Sequence, residues 1–151
     1  MPSLVFRLVF AGLLALMTSA TSASAADIEE TSDGPDLASV RAAIKAKDYD
    51  SALNTLKDVV VSSPHPDAYS LMGFVLRKTG DRAQAMTYYR KALDADPSHK
   101  GALEYQGELF VELGQVDNAK LNLAKLEKLC PSGCEEEADL KEAVEHAPPA
   151  K

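Results

Sequence analysis

Cys130 and Cys134 stand in the run "KLCPSGCEEEADL" and are the chain's only two cysteines. Three chemistries fit such a pair. In an oxidising compartment it closes as a disulfide, and because the loop is short, the entropic gain is smaller than for a long-loop bridge. As a dithiol it would exchange electrons, with the Cys134 thiolate favoured by the start of the helix that follows. Against this, a Cys-x3-Cys spacing is not the Cys-x2-Cys of thioredoxin-like sites, and no βαβ pattern surrounds it. As a soft-metal grip two thiolates would take Cu(I), with His146 the one softer ligand nearby, outside the capping turn. The disulfide is the expectation, and the redox and copper chemistries are the alternatives.

The other reactive residue types do not assemble into a motif. His65, His99 and His146 are scattered, two of them beside prolines, and are expected to be solvated turn residues. There is no H-E-x-x-H, no glycine-rich phosphate loop after a strand, and no recognisable Ser, His and Asp set. No catalysis, cofactor or resident metal is therefore expected. Tyr69, Tyr88, Tyr89, Tyr105 and Phe110 recur at helical spacing and read as core, with Tyr88 the least explained. A net charge of −7 without basic clusters argues against nucleic acid and against an anionic membrane surface.

At 151 residues the chain has room for one domain. Its first 25 residues carry Arg7, an apolar run from Leu8 to Met17 and the cleavage-like Ala23-Ser24-Ala25. Such a run is too short for a hydrocarbon core of ~30 Å and reads as a secretory signal, so the expected location is periplasmic with no membrane span in the mature protein. Residues 26–34 read as a flexible leader. Beyond them Gly73 and Gly107 are 34 apart, as are Gly80 and Gly114, Ala85 and Ala119, and Pro97 and Pro131. Four coincidences in register mean an internal repeat, and that period with paired helical patterns points to a helix-turn-helix array.

The pattern resembles the tetratricopeptide repeat family, small exported bacterial members included. Tyr69-x2-Met72-Gly73-x2-Leu76, Ala85-x3-Tyr89 and Pro97 fit its signature. Leu103-x2-Gln106-Gly107-x2-Phe110, Ala119-x3-Leu123 and Pro131 follow it with Gln106 discordant. In the first repeat Ala52-x3-Leu56 and Pro64 match while Asp36-x2-Ser39-Val40-x2-Ala43 barely does. The implied fold is an all-α, right-handed solenoid of three helix-turn-helix repeats, about 35–64, 66–97 and 100–131. A capping helix over 132–147 and a tail over 148–151 complete it.

Local chemistry supports this reading. Gly73 and Gly107 cost ~1 kcal/mol each inside helices and make sense where a neighbour approaches closely, with Ala85 and Ala119 the facing small residues. Gly80 and Gly114 fit positive φ at helix ends, and Pro64, Pro97 and Pro131 stop each second helix. Ser132 and Glu135 form the sequence of a capping box for the last helix, Glu136, Glu137 and Asp139 favour the positive end of its dipole, and its Leu140, Ala143, Val144 and Ala147 make one apolar stripe.

The resemblance implies a concave groove lined by the first helix of each repeat, holding a peptide or partner helix. The residues it would place there are Arg41, Ile44 and Lys45, then Ser70, Phe74, Arg77 and Lys78, then Glu104, Glu108, Val111 and Glu112. Such a groove is basic at its N-terminal half and acidic at its C-terminal half, and it lacks the Lys and Asn clamp of chaperone-binding members. Arg41, Lys45, Arg77 and Lys78 are expected to form one basic patch. The expected function is that of a scaffold or adaptor for another envelope or secreted protein, with an acidic extended segment as the ligand. Self-association through the exposed N-terminal face is the further possibility, and thiol redox or copper handling the rival function.

Overall fold

The computed structural model describes residues 34–148. The expected signal sequence, nearly all of the leader and the last three residues of the tail lie outside the described residues. Among these the chain forms seven helices and no strand: α1 (Ala38–Lys45), α2 (Tyr49–Ser62), α3 (Pro66–Lys78), α4 (Arg82–Ala95), α5 (Lys100–Glu112), α6 (Val116–Leu129) and α7 (Glu135–Glu145). Consecutive helices pair as α1/α2, α3/α4 and α5/α6, each pair packs on the next, and α7 lies across both α5 and α6. This is an all-α helical-repeat solenoid with a capping helix.

The turns inside each pair are set by local chemistry. Gly80 and Gly114 end α3 and α5 with φ of 96° and 72°, a backbone state that costs a residue with a Cβ ~1–2 kcal/mol. Repeat one places Lys47 at the matching position, with φ of 60°. Asp48 and Asp81 then cap α2 and α4, their carboxylates accepting the Ser51 and Gln84 amides at 3.1 Å and 3.0 Å. Pro64, Pro97 and Pro131 each follow directly on the C-cap of α2, α4 and α6.

Two cores run along the solenoid. The larger joins repeats one and two through Val40, Leu56, Val75, Ala85 and Tyr89, and the smaller gathers Leu103, Ala119, Leu126 and Leu140 around the cap. Complete burial of each valine or leucine among them stabilises by about 1.5–3 kcal/mol. The close approaches at the helical glycines differ from expectation. A Cβ on Gly73 would stand 2.5 Å from the Tyr89 ring, and one on Gly107 would stand 2.6 Å from the Leu140 methyls. The neighbours are thus large side chains rather than Ala85 and Ala119. At Gly107 the intruding side chain comes from α7, so that glycine is the seat of the cap.

The capping box does not form. The N-cap of α7 is Cys134, two residues later than Ser132, and it makes no side-chain cap bond. Cys130 and Cys134 are joined in a disulfide with Cα atoms 5.7 Å apart, so the bridge takes the corner that the box was expected to fix.

Candidate functional site

Helices α1, α3 and α5 supply one face of the solenoid, and a pocket of about 320 Å³ opens on it where the start of α7 closes over α5. Arg41 of α1, Asp67 and Ser70 of α3, Glu104 and Tyr105 of α5, and Glu135, Glu136 and Asp139 of α7 line it, with His99 and Gly101 beside them. Five carboxyl groups and one guanidinium thus line one pocket.

His99 shows how the sequence builds this wall. It is the N-cap of α5, its Nδ1 accepting the Ala102 amide at 3.0 Å. In the neutral ring the proton then sits on Nε2, which donates to Asp67 Oδ1 at 2.9 Å. One imidazole therefore caps a helix and ties repeat three to repeat two. His65 caps α3 in the same way, accepting the Asp67 amide at 3.3 Å. These two histidines are structural caps rather than solvated turn residues, and His99 keeps only 15% of its side chain exposed.

Glu104 is buried to 7% exposure on the pocket wall, with no hydrogen-bond or ion-pair partner among the described residues. Burial, with the charges of Glu108, Asp139 and Glu136 adding to it and Arg77 opposing, pushes its carboxyl up to about 8. Ser70, 2% exposed, presents a hydroxyl that is also without a partner there. Tyr105 is pushed up to about 12 by burial and the neighbouring Glu104 and Glu108.

One turn along α5 the same helical face looks different. Arg77 lies 6% exposed between α3 and α5, its Nη1 donating to Glu112 Oε1 at 2.9 Å and its Nη2 to Glu108. Arg82 Nε adds a bond of 3.0 Å to the other Glu112 oxygen. Burial disfavours the charged guanidinium, yet Tyr89, Glu108 and Glu112 together raise its pKa. Next to it the Phe74 and Tyr105 rings pack in a tilted pair, 52° between planes and 4.9 Å between centroids, and Lys78 Nζ sits 5.2 Å over the Phe74 ring.

The expected groove set therefore separates. Arg41, Ser70 and Glu104 meet in the pocket; Arg77, Glu108 and Glu112 meet in the ion cluster; Phe74 and Lys78 flank the two. Ile44 is half-buried against the larger core and Lys45 is exposed at the end of α1. Val111 packs against the smaller core. The single basic patch of Arg41, Lys45, Arg77 and Lys78 does not form, because Arg77 is buried and neutralised by two carboxylates of the next repeat. Tyr88, unexplained by the repeat signature, pairs with Tyr69 at 6.3 Å beneath the Lys91 ammonium.

Asp67, His99, Glu135, Glu136 and Asp139 were missed from sequence. Glu135 reads there as the acid of a capping box and Glu136 and Asp139 as partners of the helix dipole, and only the return of α7 onto α5 brings them to the pocket that Glu104 lines. The one signal for His99 was its place directly before a helical run.

Two further facts bound the site. Among the described residues no helix is long and apolar enough to cross a membrane, and no three His, Cys, Asp or Glu side chains converge as a metal-binding set. The tetratricopeptide repeat family model matches residues 66–99, which run from the first residue of α3 through α4 to the His99 cap of α5. No curated protein matches the chain.

Proposed function

We propose that this chain, a tetratricopeptide-repeat protein, is a non-catalytic interaction module of the periplasm that holds a segment of another envelope protein on the α1–α3–α5 face. Repeats of this family typically serve as protein-binding scaffolds. The observation that carries the reading is the face itself, where the half-buried Phe74 and Tyr105 rings border a pocket with unpartnered polar groups. Aromatic side chains beside polar groups that still lack partners are what interfaces use as anchors. The periplasmic assignment rests on the signal-like segment before Ala25 and on the Cys130–Cys134 disulfide, which fits an oxidising compartment.

A photo-crosslinking residue introduced at Tyr105, in cells that export the protein, tests this. The expected result is a discrete protein adduct from position 105 and none from Lys128 on the exposed side of α6. Equal labelling from both positions, or none from 105, would remove the face from consideration. The rival function, redox or copper handling through the cysteines, makes a different demand. It requires Cys134→Ser to abolish function, whereas a binding module keeps its adduct in that variant.

A further inference from the structure

Resting on that interaction reading, we propose that the pocket between α3, α5 and α7 seats a basic side chain, a lysine ammonium or arginine guanidinium, projected by an extended segment of the partner.

Two independent observations point to a cation. The first is charge: besides the carboxyl of Glu104, the four carboxylates of Asp67, Glu135, Glu136 and Asp139 face one guanidinium, and Arg41, the exception, is exposed at the rim and lies 3.9 Å from Asp67. The second is the state of the buried polar groups. The Ser70 hydroxyl is enclosed and without a partner, and Glu104, 7% exposed, makes no hydrogen bond or ion pair among the described residues. An orphaned buried polar group costs ~1–3 kcal/mol, a cost that an incoming donor removes.

The molecule supplies its own control. On the next turn of α5, Glu108 and Glu112 receive Arg77 from α3. Glu104 occupies the equivalent face and receives nothing, so a partner's guanidinium there would do for Glu104 what Arg77 does for Glu108. A bidentate, charge-assisted bond of that kind is the strong form of the contact.

Size and geometry narrow the ligand further. A volume of about 320 Å³ lies at the small end of ligand pockets, which run from roughly 300 to 1,000 Å³, and suits the end of one side chain. The acids do not converge as metal ligands, and an acidic segment would meet Glu135, Glu136 and Asp139 at the mouth. The acidic ligand expected from sequence therefore gives way to a basic one.

Binding should also move a proton. Glu104 is protonated in the free protein up to about pH 8, held so by burial and by Glu108, Asp139 and Glu136 against Arg77. Asp67, His99, Arg41, Glu135 and Tyr105 complete the pocket's titratable and charged surroundings. A bound cation favours the carboxylate, so at pH 7 the proton leaves Glu104 for the buffer, and affinity rises as pH approaches 9.

Calorimetry on the purified, disulfide-bonded protein tests the proposal with three capped peptides of equal length carrying two arginines, two glutamines or two glutamates. The arginine peptide is expected to bind at least about tenfold tighter than the glutamine peptide, with the glutamate peptide weakest. In buffers of different ionisation enthalpy it should release a proton at pH 7. Glu104→Gln, which keeps the side chain's shape, should cancel both the preference and the proton release, and Asp139→Asn at the rim should weaken binding about twofold.

Equal affinities for the three peptides, no binding by any of them, or an unchanged preference in folded Glu104→Gln protein overturns the proposal. Free argininamide binding as tightly as the peptide overturns the partner-segment assignment in favour of a small cation. A position-105 adduct that persists while the arginine preference fails leaves the interaction face standing and removes only its basic ligand.

Discussion

Glu104 and Glu108 are one turn apart on α5 and are the same residue type on the same face, yet they live in opposite electrostatic worlds. Glu108, with Glu112, is matched by Arg77 from the preceding repeat and screened further by Arg82. Glu104 is matched by nothing on its own repeat or its neighbours, and α7 brings it three more acids. A spacing of four residues tells which side chains share a helix face; what each one meets is decided by the helices packed against that face. Half of the groove set expected from sequence thereby ties the repeats together, and the other half is left open.

The largest effect should come from breaking the ion-paired half. Arg77→Met keeps volume but leaves two half-exposed carboxylates facing a buried void of charge. Discounting the full cost of an orphaned buried pair for the exposure of Glu108 and Glu112, the loss should be about 3 kcal/mol by urea denaturation. Glu104→Gln, one turn away, should instead raise stability at pH 7, by about 1 kcal/mol. Similar losses in both variants would erase the distinction between the two halves.

The pH dependence of stability separates them next. Glu104 has a folded-state pKa of about 8 against an ordinary 4.5, so the folded protein holds a proton that the unfolded chain has lost between these values. Its contribution is fully present below about pH 4.5, falls as pH rises through that window, and levels off above about 8. Allowing for solvent entering the pocket, wild type should lose roughly 2 kcal/mol more than Glu104→Gln between pH 5 and pH 9. Parallel stability curves for the two proteins would assign Glu104 an ordinary environment.

A smaller effect comes from the cap. Gly107→Ala drives a Cβ into the Leu140 methyls, and because the tips of a leucine can yield, the cost should be about 1–2 kcal/mol. It should shift α7 away from Glu104 and lower the arginine preference while leaving the Arg77 cluster intact. Loss of the Arg77 contacts in that variant, read by NMR of the guanidinium, would mean that the two halves are one unit.

The repeat frame was legible because it is written in local chemistry. Gly80 and Gly114 at helix ends, Pro97 and Pro131 after them, and the 34-residue register need no tertiary knowledge. Even the weak first repeat keeps the turn, with Lys47 in the left-handed state that the later repeats give to glycine. The site was legible only as a set of names. Arg77 reads as a free surface charge until residues 31 and 35 positions away arrive beside it. The acids Glu136 and Asp139 read as helix-dipole partners until Leu140 docks on Gly107. Ser132 and Glu135 match a capping box, but the disulfide fixes the corner and the helix begins after it. Each miss involves a contact between segments far apart in sequence or a covalent constraint that outweighs a local preference.

The central claim, that Glu104 is held uncharged for want of a cation, is most directly tested by following its side-chain carboxyl carbon by NMR through a pH titration, with and without the arginine peptide. The account predicts a midpoint near 8 in the free protein that falls when the peptide is bound. A midpoint near the ordinary 4.5, unmoved by the peptide, would contradict it.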